Sequence, residues 1–258
     1  ESLGKDGKGV IPIVGEPMVD SKHYGSDRNF VYVRVTSDHN ERIDAFASEL
    51  ERSGQPVTRL ELDHIDDLGA QCFLWQLSVV IAATILRINP FNQPDVQQAK
   101  QDAMDILSNL DGIPNINSKN PVMAVRELLE NVGPGGYLGI LAYLPETDEI
   151  TTSINTLREN ILIKTKIPTS IGFGPRFLHS TGQLHKGGPS SGSFLQITTP
   201  TQKDFLGSNL QYTFGEVIEA QTLSNVNILK SKGRNLAVIE LKSPINQNII
   251  DLSNKLFE

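Results

Sequence analysis

The feature that most constrains the fold is a regular alternation of short β-branched runs with longer amphipathic segments. The short runs predict strands at 10–14, 30–35, 57–62, 137–143, 168–172, 193–198 and 236–241. The longer segments predict helices at 40–53, 68–88, 94–110, 121–132, 151–164, 213–230 and 246–257. Strands that alternate with helices indicate an α/β fold, with a mostly parallel sheet between helical layers in a three-layer α/β/α sandwich.

The length allows two units, and one stretch predicts where they meet. The chain has 258 residues, and the polar segment 112–120 is rich in Asn and Pro. We therefore expect a first domain at 1–112 and a C-terminal α/β lobe at 113–258. The chain begins with Glu rather than Met, so we expect it to be a piece of a longer polypeptide.

Charge and composition argue against several classes of function. A net charge of −7 disfavours a protein that binds nucleic acid through its overall field. The apolar run 77–88 is too short for a membrane span, so no membrane contact is predicted. The single cysteine, Cys72, excludes an internal disulfide and is expected to be buried, as are Phe73 and Trp75. This cysteine usage suits a reducing compartment and predicts a cytoplasmic protein without a Cys-based metal site.

One segment stands out against the acidic background. Residues 174–189 read GPRFLHSTGQLHKGGP, and no Asp or Glu occurs from 160 to 203. The density of Gly, Ser, Thr and Pro argues against a helix or a central strand here. A segment whose charged side chains are all basic is a candidate anion site, and its glycines allow backbone N–H groups to approach a phosphate. The candidate ligands are Arg176, His179, His185, Lys186, Ser190 and Ser191, although the two serines also fit an ordinary turn.

A lysine on a predicted helix is the second candidate. Asn92 can cap this helix, and Pro94 falls near its first position. Helical periodicity places Lys100 at the edge of the apolar face. Two interpretations stay open: its stem covers apolar surface while the ammonium reaches water, or the ammonium is held at a ligand.

Several motifs resemble one enzyme family. The run INPFNQPDVQQAK, which ends at Lys100, resembles the C-terminal signature of glucose-6-phosphate isomerases. ESLGK at 1–5 resembles the family's Glu-Ser-x-Gly-Lys motif, and the run 68–76 is similar to the helix before the signature. The histidine segment, with YTFG at 212–215, resembles the isomerase part of bifunctional transaldolase/phosphoglucose isomerase fusions.

The resemblance implies a sugar-isomerase (SIS) fold, in which 1–112 is the second SIS-like domain, and a reaction in glycolysis and gluconeogenesis. Such enzymes interconvert glucose 6-phosphate and fructose 6-phosphate through an enediol, without metal or cofactor. Position by position, Glu1 matches the base that moves a proton between C1 and C2, and Lys100 matches the lysine that acts at the ring oxygen. The histidine that opens the sugar ring has no matching motif, so His185, or else His179, is assigned to it. The family also implies an upstream SIS domain with the main phosphate loop, so this chain alone is expected to be inactive or incomplete.

Departures from the signature keep other functions open. Asn92 and Gln97 stand where the family usually has acids, and Leu3 replaces the usual Asn or Thr. One alternative is therefore a sugar-phosphate-binding SIS module without catalysis, and another is an interaction domain that keeps only the fold. The expected partners are the sugar phosphates and the upstream SIS domain, with a transaldolase domain and further copies of the chain as additional candidates.

Overall fold

The predicted alternation of strands and helices is confirmed. The computed structural model describes residues 1–109, 116–201, 204–207 and 211–258. The strands are β1 Phe30–Val35, β2 Val57–Leu62, β3 Tyr137–Tyr143, β4 Thr169–Phe173, β5 Gly192–Thr198 and β6 Asn235–Glu240. The helices are α1 Glu41–Arg52, α2 Leu68–Leu86, α3 Pro94–Leu107, α4 Pro121–Glu130, α5 Asp148–Thr165, α6 Ser180–Gly187, α7 Phe214–Ser231 and α8 Ile245–Lys255.

A parallel four-stranded sheet organises the C-terminal part. Its order is β4-β3-β5-β6, and β1 and β2 form a separate parallel pair. Every residue of β3 is buried, as expected for a central strand covered on both faces. Apolar residues of α4, α5 and α8 cover one face of the sheet, whereas Phe177 and Leu229 pack with Phe194 on the other. The predicted α/β fold with helices on both faces of a parallel sheet is therefore confirmed.

Helix α3 lies outside the sheet and packs against α6 and α7. Its buried residues are Val96, Ala99, Ala103 and Leu107. The Ser224 hydroxyl of α7 donates a hydrogen bond of 2.9 Å to the Ala99 carbonyl, which fixes the two helices in register. This packing brings the signature segment next to the histidine segment.

Three local predictions differ from the structure or fall outside it. Residues 10–14 form no strand, although Ile11 and Ile13 still pack against the sheet. The histidine segment, predicted not to be helical, contains α6, because the two prolines of the segment lie outside this helix. The third concerns the end of the predicted first domain: α3 ends at Leu107 rather than at 110, and the predicted boundary at 112/113 lies outside the described residues.

Helix α2 departs most from expectation. Its 19 residues carry no charge, and the stretch Ile65–Leu86 is long and apolar enough by length and composition to cross a membrane, so the expectation of no such run was wrong. Only 6% of that stretch is buried. Phe73, Trp75 and Cys72 are exposed, not buried as predicted, because no described element packs over this part of the helix; Ala83, near its C-terminal end, is buried. A helix that is apolar all round normally requires a cover.

Candidate functional site

A cavity of about 560 Å³ lies between α3, α7 and the residues that follow β4; we call it the α3 cavity. Most of its lining is apolar, with Lys100, Arg176 and His179 as its only cationic side chains among the described residues. The lining consists of Val96, Ala99, Lys100, Ala103, Met104, Leu107, Pro175, Arg176, Leu178, His179, Val217, Gln221 and Ser224. Arg176 and His179 of the histidine segment therefore line the same cavity as Lys100.

The start of α3 sets the position of Lys100. Pro94 occupies the first turn as predicted, but the N-cap is Gln93 rather than Asn92. Lys100 lies two turns into the helix and is exposed at the cavity, beside the buried Ala99. Its ammonium is therefore accessible to a ligand in the cavity.

Arg176 is not a free cation. Its guanidinium forms an ion pair with Glu146, and both side chains are exposed, at 70% and 50%. An exposed pair of this kind contributes only about 0–1 kcal/mol, so an anionic ligand can compete for the guanidinium. Glu146 follows β3 in sequence, and its role as the partner of Arg176 was not predicted.

Glu1 is tied to the histidine segment by a side-chain contact. The Thr181 hydroxyl donates a hydrogen bond of 2.8 Å to Glu1 Oε1. Thr181 lies in the first turn of α6, two residues after His179. Glu1 therefore lies close to the part of the histidine segment that contains His179, although Glu1 is not in the described lining of the α3 cavity.

His185 lies in the core rather than at the cavity. Its exposed fraction is 4%, and Nδ1 and the Tyr137 hydroxyl are hydrogen-bonded at 2.9 Å. Its ring meets that of Phe194 edge to face, with centroids 4.8 Å apart. Burial, together with the charges of Lys186 and Arg234, lowers the pKa of His185 to about 3. The structure therefore gives His185 a packing position and does not bring it to Lys100, contrary to the ring-opening assignment.

Lys186 is also buried. Its exposed fraction is 1%, and Nζ has no hydrogen-bond partner among the described residues. Burial lowers its pKa to about 8, partly opposed by the carboxylate of Asp95. Lys186 is absent from the described lining of the α3 cavity, so it is not placed as a ligand there.

Ser190 and Ser191 lie at the wrong edge of the sheet for this cavity. They form the turn before β5, at its amino end. Arg176 and His179 follow the carboxyl end of β4, which is parallel to β3 and β5. The two serines are thus an ordinary turn on the opposite edge, and the predicted phosphate contact does not form in this cavity.

A second cavity, of about 450 Å³, lies at the carboxyl ends of β3, β5 and β6. Parallel sheets commonly bind ligands at this edge. Its described lining contains Thr198, Glu219 and Glu240 but no lysine, arginine or histidine. Two carboxylates without a cation disfavour a sugar phosphate, so the α3 cavity is the better candidate.

Sequence reasoning missed several contributors to the site. Thr181 and Gln183 lie inside the highlighted segment but were passed over in favour of its charged residues. Val217, Gln221 and Ser224 come from α7, which follows the segment by more than one element of structure. Helical periodicity identifies their helix, but only tertiary packing places α7 beside α3.

Comparisons with known proteins identify no relative of known function. No protein family matches this sequence, and no curated protein does. Among solved structures, the chain is similar to a hypothetical protein from Thermus thermophilus, with 12% sequence identity and a TM-score of 0.43. The similarity covers 88% of this chain and 56% of that one, so this chain spans little more than half of that protein's length.

Proposed function

We propose that this chain is the isomerase part of an enzyme that interconverts glucose 6-phosphate and fructose 6-phosphate through an enediol. The observation that carries the proposal is the α3 cavity, where Lys100 and His179 line the same space. These residues come from two separate motifs that resemble the same enzyme family. If both motifs belong to one active site, their residues must line one cavity, as Lys100 and His179 do.

The site residues suit the steps of the reaction. The Glu1 carboxylate takes the proton from C2 of the open-chain aldose; the C–H electron pair forms the C1–C2 double bond, and the carbonyl oxygen O1 takes up the proton that the C2 hydroxyl releases, so that the C2–O electrons can form the ketone when Glu1 passes its proton on. Returning that proton to C1 gives the ketose. The Lys100 ammonium stabilises the negative charge that develops on oxygen during enediol formation. His179, exposed at the cavity, replaces His185 as the residue proposed to open the sugar ring.

The remaining parts of the proposal concern phosphate and partners. We propose that Arg176 contributes to phosphate binding by exchanging Glu146 for the phosphate, whereas the main phosphate loop belongs to an upstream SIS domain. The uncovered apolar surface of α2 is the proposed contact for that domain. The enzyme would act in the cytoplasm, with a transaldolase domain as a further candidate part of the polypeptide.

A non-catalytic sugar-phosphate-binding module is the second candidate. The observation that favours it is the pair of amides Asn92 and Gln97, which replace the family's usual acids and are both exposed near the start of α3. Loss of those charges alters the electrostatic setting of Lys100. Binding without proton exchange is the behaviour that this candidate predicts.

The test follows deuterium exchange at C2 of the sugar phosphate by NMR in deuterated water, with the natural polypeptide. Glu1→Gln keeps the shape of the side chain but removes its basicity, so exchange should fall by at least about 100-fold while binding stays measurable. The control is Glu130→Gln, an exposed glutamate at the end of α4, which should leave exchange unchanged. Binding without exchange in the unmodified protein would favour the second candidate, and no binding would overturn both.

A further inference from the structure

A single buried glutamine joins the two segments that carry the proposed catalytic residues. Gln183 of α6 is 0% exposed. Its Nε2 donates to the Gly4 carbonyl at 2.8 Å and to the Asp95 carboxylate at 2.6 Å, and its Oε1 accepts from the Asp95 N–H at 3.0 Å. Gly4 lies three residues after Glu1, and Asp95 lies in the first turn of α3, the helix that carries Lys100.

Helix α6 contacts the N-terminal segment, residues 1–8, along much of the length of the helix. The Gly187 carbonyl accepts a hydrogen bond of 3.0 Å from Gly7 N–H, and Thr181 bonds Glu1. A side chain at Gly4 would put Cβ only 2.3 Å from the Leu184 Cα, so the backbone of this segment lies directly on α6. The N-terminal segment thus packs on α6, and the side chain of Gln183 connects this segment to α3.

The chemistry of this position requires an amide. Asp95 presents a backbone donor and a carboxylate acceptor to the same side chain, and Gly4 presents a second acceptor. A neutral amide supplies both a donor and an acceptor group, whereas a carboxylate at this position would face two acceptors. A thioether would lose all three bonds and leave the Gly4 carbonyl and the Asp95 N–H unpaired, although the Asp95 carboxylate would keep its ion pair with Lys232 at 2.7 Å. Unpaired buried polar groups are costly, so the three bonds specify one arrangement of the two segments.

We infer that Gln183 is a positioning residue that sets the placement of Glu1 relative to Lys100. The inference rests on the proposed isomerase function, and Gln183 itself contacts neither substrate nor reacting atoms. A small displacement of a base from its carbon acceptor slows proton transfer strongly, because reaction requires close approach in the correct orientation.

The test compares Gln183→Met with Gln196→Met in the natural polypeptide. Gln196 of β5 is a matched control: it is 0% exposed, donates to the Thr222 carbonyl at 3.2 Å and accepts from Asn225 at 2.8 Å, but it bonds neither the segment of Glu1 nor α3 and is not part of the described lining of the α3 cavity. Substrate labelled with deuterium at C2 reports how the base works, since the label either passes to C1 or is lost to solvent. This ratio does not depend on the fraction of folded enzyme.

Gln183→Met should lower kcat by at least about tenfold and change the transfer-to-solvent ratio by about threefold or more, because the base no longer faces both carbons equally. Gln196→Met should leave the ratio unchanged even if it lowers Tm. Hydrogen exchange at Gly4 to Lys8 and in the first turn of α3 should rise in Gln183→Met only. An unchanged ratio in an active, folded Gln183→Met protein overturns the inference. Faster hydrogen exchange in that variant, with no isomerase activity in the unmodified protein, instead overturns the proposed function and leaves the structural bridge standing.

Discussion

Two histidine–lysine pairs of this protein lie in opposite environments. His179 and Lys100 are exposed and line the α3 cavity. His185 and Lys186 are 4% and 1% exposed and lie within the core. The two histidines are only six residues apart, yet α6 begins directly after the first and turns the second toward Tyr137 and Phe194.

The difference shows that a cationic segment in sequence is not a cationic surface. Burial disfavours the charged form, and it lowers the pKa of both His185 and Lys186. The exposed pair lines the α3 cavity, where it can meet an anion. Within the histidine segment, His185 and Lys186 therefore contribute to packing, whereas Arg176 and His179 are available to a ligand.

The sharpest test of the comparison is the exposed lysine. In the natural polypeptide, Lys100→Ala should lower isomerase turnover by roughly 100-fold, since a cation at the developing oxyanion is lost. The free energy of unfolding should change by less than about 1 kcal/mol, because the side chain is exposed. Steady-state kinetics and thermal unfolding measure the two effects, with the exposed Lys164→Ala of α5 as control. Unchanged kinetics would remove Lys100 from the mechanism.

The buried lysine should behave in the opposite way. The pKa of Lys186 is lowered from 10.5 to about 8, so below pH 8 both folded and unfolded states are protonated and the cost of burying the charge is fully present. That cost fades as pH rises from about 8 to 10.5. Lys186→Met should therefore stabilise the protein at pH 7, by on the order of 3 kcal/mol, and the gain should disappear by about pH 10.5.

Denaturant unfolding at several pH values measures this effect of Lys186→Met. Lys164→Met is the control, because the same change at an exposed lysine should give no pH-dependent gain. A gain at Lys186 that does not vary with pH would show that the folded protein does not hold a buried charge there.

The buried histidine should make the protein sensitive to acid. The folded-state pKa of His185 is about 3, below the ordinary 6.5, so the unfolded state binds the extra proton between these values. Stability is unaffected above pH 6.5 and is lost as pH falls toward 3, with a slope near 1.4 kcal/mol per pH unit from this residue. His185→Phe should remove that contribution, at a cost of about 1–3 kcal/mol at pH 7 for the unpaired Tyr137 hydroxyl.

Acid unfolding followed by circular dichroism compares His185→Phe with His179→Phe. The exposed His179 should leave the acid dependence as it is. An equal change in the pH dependence of unfolding in both variants would contradict the prediction that only His185 makes the protein sensitive to acid.

The smallest expected effect belongs to the exposed histidine. If His179 opens the sugar ring, His179→Ala should lower turnover of the cyclic sugar phosphate by about tenfold, since proton transfer by a positioned side chain is lost. Turnover of an open-chain analogue should remain within about twofold, because that substrate needs no ring opening. Parallel kinetics with both substrates measure the difference, and equal losses would assign His179 to shaping the cavity.

The backbone pattern could be predicted well from the sequence. The bounds of β1, β2 and β3 match the predicted 30–35, 57–62 and 137–143, because β-branched runs between turn residues are a local signal. Helices α3 and α4 begin at Pro94 and Pro121, as predicted, because proline is favoured at the first position of a helix. Within the site, Lys100, Arg176 and His179 could be named as candidates from the motifs on which they lie.

The rest depended on packing. Helix α6 forms in spite of its composition, because tertiary packing buries Gln183, Leu184 and His185, and such packing supplies most of the stability of a short helix. Trp75 and Phe73 look like core residues in sequence, but they are exposed because no described element covers α2. Local periodicity states which face of a helix is apolar, not what lies opposite it.

The order and bounds of most strands and helices and the α/β class could be predicted from the sequence alone, as could the candidates Lys100 and His179. Those properties depend on local backbone preference and on side-chain periodicity, which neighbouring residues carry. Only the tertiary structure decided that His179 meets Lys100 while His185 and Lys186 enter the core, and that Gln183 connects the segment of Glu1 to α3. Burial and hydrogen bonding between distant segments are set by how the helices pack on the sheet, and no single segment contains that information.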